Sequence, residues 1–344
     1  MLSFYPGPSK IYPQIRQFLV QAYDLGILER NHRSEEFMVF CQKTILLFKE
    51  KMAIPNDYLV VFTSSATESW EIIAQSFGRA GSLHFSNGAF GNKWAEYTQK
   101  ITQKAQLIEF GLEESPNFDQ IKPENSLVCL THCETSNGCF IQNFPQLTEN
   151  QLLAIDATSS LGGINIDWQK SDIVFASVQK CLGLPSGLAV MVFSPKAIQI
   201  GRQIAENQHY NSFLFLEKNF LNFQTPYTPN ILGIFLLQKV MEIVPKIEQT
   251  AQKLVERKQM YESFFEKYAH LQFLCKTPIF RSPTVLCLEG NAVFIEKIKD
   301  LALKKGILLG NGYGTWQKNT LRIANFPSHT EEELTILLKT LQNL

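Results

Sequence analysis

A chain of 344 residues, 45% hydrophobic and 19% charged, is long enough to form two domains with sizeable cores. Its 32 basic residues balance 32 acidic ones, so it lacks the basic excess or run that would grip nucleic acid. The opening MLSFYPGPSKIYPQ does not have a signal peptide's charged-then-apolar layout, and no apolar run reaches bilayer length. Seven irregularly spaced cysteines argue for free thiols in a reducing compartment, and the expected location is cytoplasmic. Cys129, His132, Cys133 and Cys139 invite a metal reading. Cys129, however, lies within an apolar run and no second metal-like pair follows, so no metal site is expected.

After a Pro-rich lead, a helical pattern runs over Ser34–Met52. Strand-like runs follow at Tyr58–Thr63, Ser82–Ser86, Ala105–Phe110, Ser126–His132, Leu152–Ala157, Asp172–Ala176 and Leu188–Phe193, with helical patterns at Glu68–Phe77 and Lys93–Gln103. Apolar strands alternating with helices predict an α/β layer with a mainly parallel sheet. A Phe- and Asn-rich stretch, Asn211–Asn222, precedes helical segments at Asn230–Ile243 and Lys246–Tyr268, the second amphipathic enough to bridge two bodies. The tail predicts strands at Thr284–Leu288 and Thr320–Ala324, and helices at Ala292–Lys305 and Thr330–Leu341, with Ser328 and Glu331 as a capping box. The expected division is a large α/β domain over 15–230 and a small α+β domain over 231–344, joined by 1–14.

Ligands of such sheets sit where the carboxyl ends of the strands meet loops and helix starts. The first of these strand ends carries Ser64-Ser65-Ala66-Thr67 before a helix, which suits a phosphate as well as it suits simple capping. The next carries Phe90 between glycines, a flat face for an aromatic ligand. Another ends in the polar run His132 to Gly138, and Asp156 lies directly on a buried-looking strand, where a carboxylate needs a cationic partner. Lys180 follows the run Asp172–Ala176 and precedes a Gly/Pro turn. Alone it would read as a strand-end lysine reaching water. Together these strand ends hold what pyridoxal 5′-phosphate (PLP) requires: a lysine for its aldehyde, an acid for its ring nitrogen and a helix start for its phosphate.

Three ordered motifs carry a resemblance. SVQKCLGLPSGLAV is similar to the lysine motif of class V (fold type I) PLP-dependent aminotransferases, HCETSNG to their Glu-Thr-Ser-x-Gly motif and AIDATSSLGG to their aspartate motif. FYPGPS and NHRSEEF resemble the phosphoserine aminotransferase branch of that class. The resemblance implies fold type I and amino transfer between an amino acid and a 2-oxo acid. It implies Lys180 as the residue carrying PLP and shuttling a proton, and Asp156 as the partner of the ring nitrogen. Phe90 stands where the branch stacks a tryptophan, and Thr135 approaches the ring. Ala66 and Thr67, with Gln179, hold the phosphate. Thr225 reaches the neighbouring subunit's cofactor, which implies a homodimer. Arg322 grips the substrate α-carboxylate, and Ser9, His32 and Arg33 lie on the substrate side.

The sequence departs from the branch at Gly310–Thr315, which lacks the His-Arg pair that helps bind the substrate phosphate there. A serine or alanine–glyoxylate type of transaminase is therefore the alternative. A PLP lyase such as a cysteine desulfurase fits less well, because Gln179 rather than His precedes Lys180, and Cys275 and Cys287 lie in apolar surroundings that suit core packing.

Overall fold

The computed structural model describes residues 1–342 of the chain. Its larger sheet has seven strands in the order Leu59–Thr63, Ala189–Phe193, Ile173–Ser177, Leu152–Asp156, Leu127–Thr131, Ser82–Ser86 and Ala105–Glu109. Neighbours run parallel except for the two pairings of Ala189–Phe193. The central strands are buried on both faces, so their sequences (LVCLT, LLAID, IVFAS, AVMVF) are nearly unbroken apolar runs. Helices start where a side chain takes an orphan amide: Ser34 accepts from Phe37 N at 3.2 Å, Ser65 from Glu68 N at 3.0 Å and Ser194 from Ala197 N at 3.1 Å.

A second sheet of five strands runs Leu2–Phe4, Ile307–Asn311, Thr320–Ala324, Val285–Gly290 and Leu271–Phe273. Phe4 therefore belongs to the smaller core, where it stacks on His329 at 4.5 Å. The chain then crosses to the larger sheet, and Ser9 N donates to Gln179 O at 3.1 Å. The three-residue outer strands and Ile307–Asn311 are absent from the sequence-based expectation, as are the helices Ile15–Asp24, Pro195–Ile204 and Phe213–Phe220.

Two expectations are corrected. The last helix, Glu331–Leu341, is capped by Thr330 with Glu333 instead of Ser328 with Glu331. Ser328 Oγ is already committed to Lys10 O at 2.8 Å, and Glu331 to Arg257 Nε at 2.9 Å. The helix Ile231–Ile243, expected in the small domain, buries Ile234, Phe235 and Leu237 in the larger core because it is apolar on nearly every side. The next helix, Ile247–Phe265, spans both bodies, with Ile247 in the larger core and Tyr261, Phe264 and Phe265 in the smaller. Among the described residues no helix is long and apolar enough to cross a membrane.

Candidate active site

Because the parallel strands end on one edge of the larger sheet, their polar terminal residues converge. A cavity of about 260 Å³ opens there, near the lower end of the roughly 300–1,000 Å³ common for small-molecule sites. Ala66, Thr67, Phe90, Thr135, Asp156, Gln179, Lys180 and Arg322, all expected from the sequence, line it.

Lys180 is only 8% exposed. Its Nζ donates to Thr135 Oγ1 at 2.8 Å and Ser159 Oγ at 3.0 Å, and lies 5.2 Å from the centre of the Phe90 ring. Burial lowers its pKa, opposed by the charges of Asp156 and Glu134. Asp156, 4% exposed, forms no salt bridge with it. Instead Asp156 Oδ2 accepts from Trp70 Nε1 at 3.1 Å and Oδ1 from Thr158 N at 2.9 Å. Burial raises the carboxyl's pKa, while Thr158, Lys180 and Trp70 pull it down.

Arg322 reaches the cavity from the smaller sheet. Its Nε donates to Asn311 O at 2.7 Å and its Nη1 to Thr135 O at 2.8 Å. Those bonds fix the guanidinium plane, and Nη2 makes no hydrogen bond among the described residues. Tyr313 lies between Arg322 and Phe90: its ring stacks on Phe90 at 5.1 Å, and Arg322 Cζ lies 5.4 Å from it.

Four expected residues do not line the cavity. Ser9 lies behind Gln179, and its buried Oγ has no partner among the described residues. Arg33 is exposed and donates to Asn219 Oδ1 at 3.3 Å and Gln224 Oε1 at 3.0 Å, beside Thr225. Thr225 is buried and donates to Tyr227 O at 2.6 Å. His32 is half-buried, and both burial and Arg33 lower its pKa. The structure thus gathers Arg33 and Thr225 into a second cluster, where the helix Phe213–Phe220 ends and the chain runs on to Pro226.

The sequence reading overlooked Trp70, Tyr313, Ser159 and Thr158. Trp70 was detectable, since it stands one turn along the helix from Ala66 and so shares its face. Tyr313 and Ser159 carry no such local signal.

The family model for class V aminotransferases matches residues 6–334. This chain belongs to the class V aminotransferases. It is 30% identical to a solved phosphoserine aminotransferase from Cytophaga hutchinsonii, with 99% of this chain and 98% of that one covered at a TM-score of 0.92. The phosphoserine aminotransferase of Rhodococcus opacus is 26% identical over 97% of this chain and 92% of its own length. An alanine–glyoxylate aminotransferase from Nostoc, 19% identical with a TM-score of 0.83 over 99% of this chain and 94% of its own, shares the fold. The chain is accordingly a PLP-dependent aminotransferase of fold type I, similar to phosphoserine aminotransferases.

The cavity fits PLP on its own chemistry. It offers a buried amine, a buried carboxylate with unused acceptor positions and no ion-pair partner, and the start of the helix Ala66–Phe77. Thr131 Oγ1 and Thr158 Oγ1, both lining it, are buried without a partner among the described residues. Space around the lysine is tight: a Cβ on Gly7, whose φ is +153°, would lie 2.9 Å from Lys180 Cε. Gly7→Ala should therefore displace the lysine stem and strain the backbone, lowering PLP occupancy of the purified protein several-fold. Cofactor absorbance per chain measures this, and wild-type occupancy would count against it.

Proposed function

We propose that the protein transfers an amino group between an amino acid and a 2-oxo acid, with phosphoserine and 2-oxoglutarate as the leading pair, a step of serine biosynthesis. The observation that carries this reading is a buried amine and a buried carboxylate lining one cavity without pairing to each other. Bound PLP supplies an electron sink for negative charge developing at the substrate α-carbon.

In this reading Lys180 would hold the cofactor covalently through Nζ and, once the substrate amine has displaced it, the freed Nζ would take up the α-carbon proton. Burial suits it to that work by favouring the neutral amine. Thr135 and Ser159 orient Nζ through their hydroxyls. Asp156, steadied by Trp70 and Thr158, holds a proton on the ring nitrogen. Ala66, Thr67 and Gln179 take the phosphate at a helix start, where amides and dipole favour an anion. Phe90 covers one face of the ring. Arg322 pairs with the substrate α-carboxylate through a fork its backbone bonds have already oriented.

Arg322 is the sole guanidinium among the residues lining the cavity, so an acidic substrate side chain needs further cations. A homodimer answers this if His32, Arg33 and Thr225 act across the interface, with Ser9 supporting the substrate side. Exposed apolar residues on and after the helix Ile15–Asp24 (Val20, Tyr23 and Leu25) are consistent with such a contact, and a monomeric mass in solution would remove it. A cytoplasmic location accords with seven free, buried cysteines.

The test is a titration of PLP-loaded protein with single amino acids. Phosphoserine and glutamate should bleach the PLP band. Bleaching only by serine or alanine would move the chain to the serine or alanine–glyoxylate type, and sulfide release from cysteine would make it a lyase.

A further inference from the structure

A second carboxylate lies beside the cavity, and the amino-transfer reading gives it no work. Glu134 is 1% exposed and forms no salt bridge among the described residues. Its Oε2 accepts from Phe90 N and Gly91 N, each at 3.1 Å, and its Oε1 accepts from Ser136 N at 2.9 Å and Ser136 Oγ at 2.6 Å. Ser136 Oγ in turn accepts from Ala89 N at 3.0 Å. Three consecutive amides, the first turn of the helix Ala89–Thr102, are thus held by Glu134 and Ser136 on another strand end. Ordinarily the residue at the helix start would serve them. Here that residue is Gly88, and a Cβ on it would overlap Glu134 Cγ and lie 2.7 Å from Cδ.

Capping alone does not call for a buried charge, because a serine or asparagine at position 88 would serve at lower desolvation cost. What the carboxylate adds is a link between two walls of the cavity. On one side it holds the amide of Phe90, whose ring lies 5.2 Å from Lys180 Nζ. On the other it directly precedes Thr135, whose hydroxyl receives Nζ at 2.8 Å. We propose that Glu134 is a positioning residue for PLP: its carboxylate clamps the helix start bearing Phe90 to the strand end bearing Thr135, and so sets the gap that grips the cofactor ring. This rests on the reading of the cavity as a PLP site.

Glu134→Gln tests it. The amide keeps the shape but turns one acceptor into a donor, which releases either the Phe90–Gly91 pair or Ser136. PLP affinity should fall roughly ten- to a hundredfold, and the circular dichroism of bound PLP should change. In a Phe90→Ala background the same substitution should cost much less, because its effect runs through that ring. A Glu134→Gln protein with a lowered melting temperature but wild-type affinity and dichroism would overturn the proposal, as would fully multiplicative losses in the double variant. If Glu134→Gln does not fold, Ser136→Ala decides: a few-fold weaker affinity with altered dichroism supports the clamp, and unchanged values overturn it. A wild-type chain that takes up no PLP would overturn the cofactor reading, and the clamp with it. Wild-type uptake beside an unaffected variant overturns the clamp alone.

Discussion

Replacing Lys180 with alanine should leave a folded protein that no longer retains PLP through borohydride reduction and denaturation. Transamination should fall by roughly 10²–10⁴-fold, the scale of losing a positioned acid–base group. Wild-type protein treated the same way should carry the cofactor on the peptide containing Lys180, and trapping on another lysine would refute the assignment. The amine also predicts a pH effect in cofactor-free protein. Burial lowers the Lys180 pKa below its ordinary 10.5, the Asp156 and Glu134 charges pull it back and Arg322 opposes them. Between the lowered value and 10.5 the unfolded chain binds more protons than the folded one, so this group makes stability rise with pH there. In urea denaturation, wild type should gain on Lys180→Met as the pH rises toward the amine's ordinary 10.5. Parallel curves would show that the buried amine does not titrate this way.

Asp156→Asn should separate chemistry from stability. Asparagine removes the charge opposite the ring nitrogen and costs one of the two acceptors now used by Trp70 Nε1 and Thr158 N. Activity should drop on the order of 10²–10³-fold, as when a preorganised electrostatic partner is deleted. The cofactor-free variant should melt within a few degrees of wild type, because relief of a poorly solvated charge offsets about 1 kcal/mol of lost hydrogen bonding. Near-normal turnover would show that another group holds the ring proton.

Legibility differed between the two sheets for a physical reason. Strands such as Ile173–Ser177 are buried on both faces, so their burial is written into unbroken apolar runs. Leu2–Phe4 has three residues and owes its state to Ile307–Leu309, some 300 positions away, as expected of short strands set by context. The Phe- and Asn-rich stretch Asn211–Asn222 gives no helical signal of its own, yet it forms the helix Phe213–Phe220, whose Phe213 and Phe220 are buried in the larger core.

The site divides in the same way. The sequence alone placed the lysine, the aspartate, the helix start and Phe90 at or just past strand ends, and parallel strands end on one edge, so these residues line one cavity. Arg322, midway along an antiparallel strand of the smaller sheet, was legible only through the family resemblance. Only the tertiary structure decided which partners complete them. Trp70 behind Asp156, Ser159 under Lys180 and Tyr313 between Phe90 and Arg322 meet through packing between separate segments. Likewise, only the structure placed Arg33 and Thr225 together outside the cavity. A local pattern records what a residue is and which way its own element turns. It does not record which distant element will be packed against it.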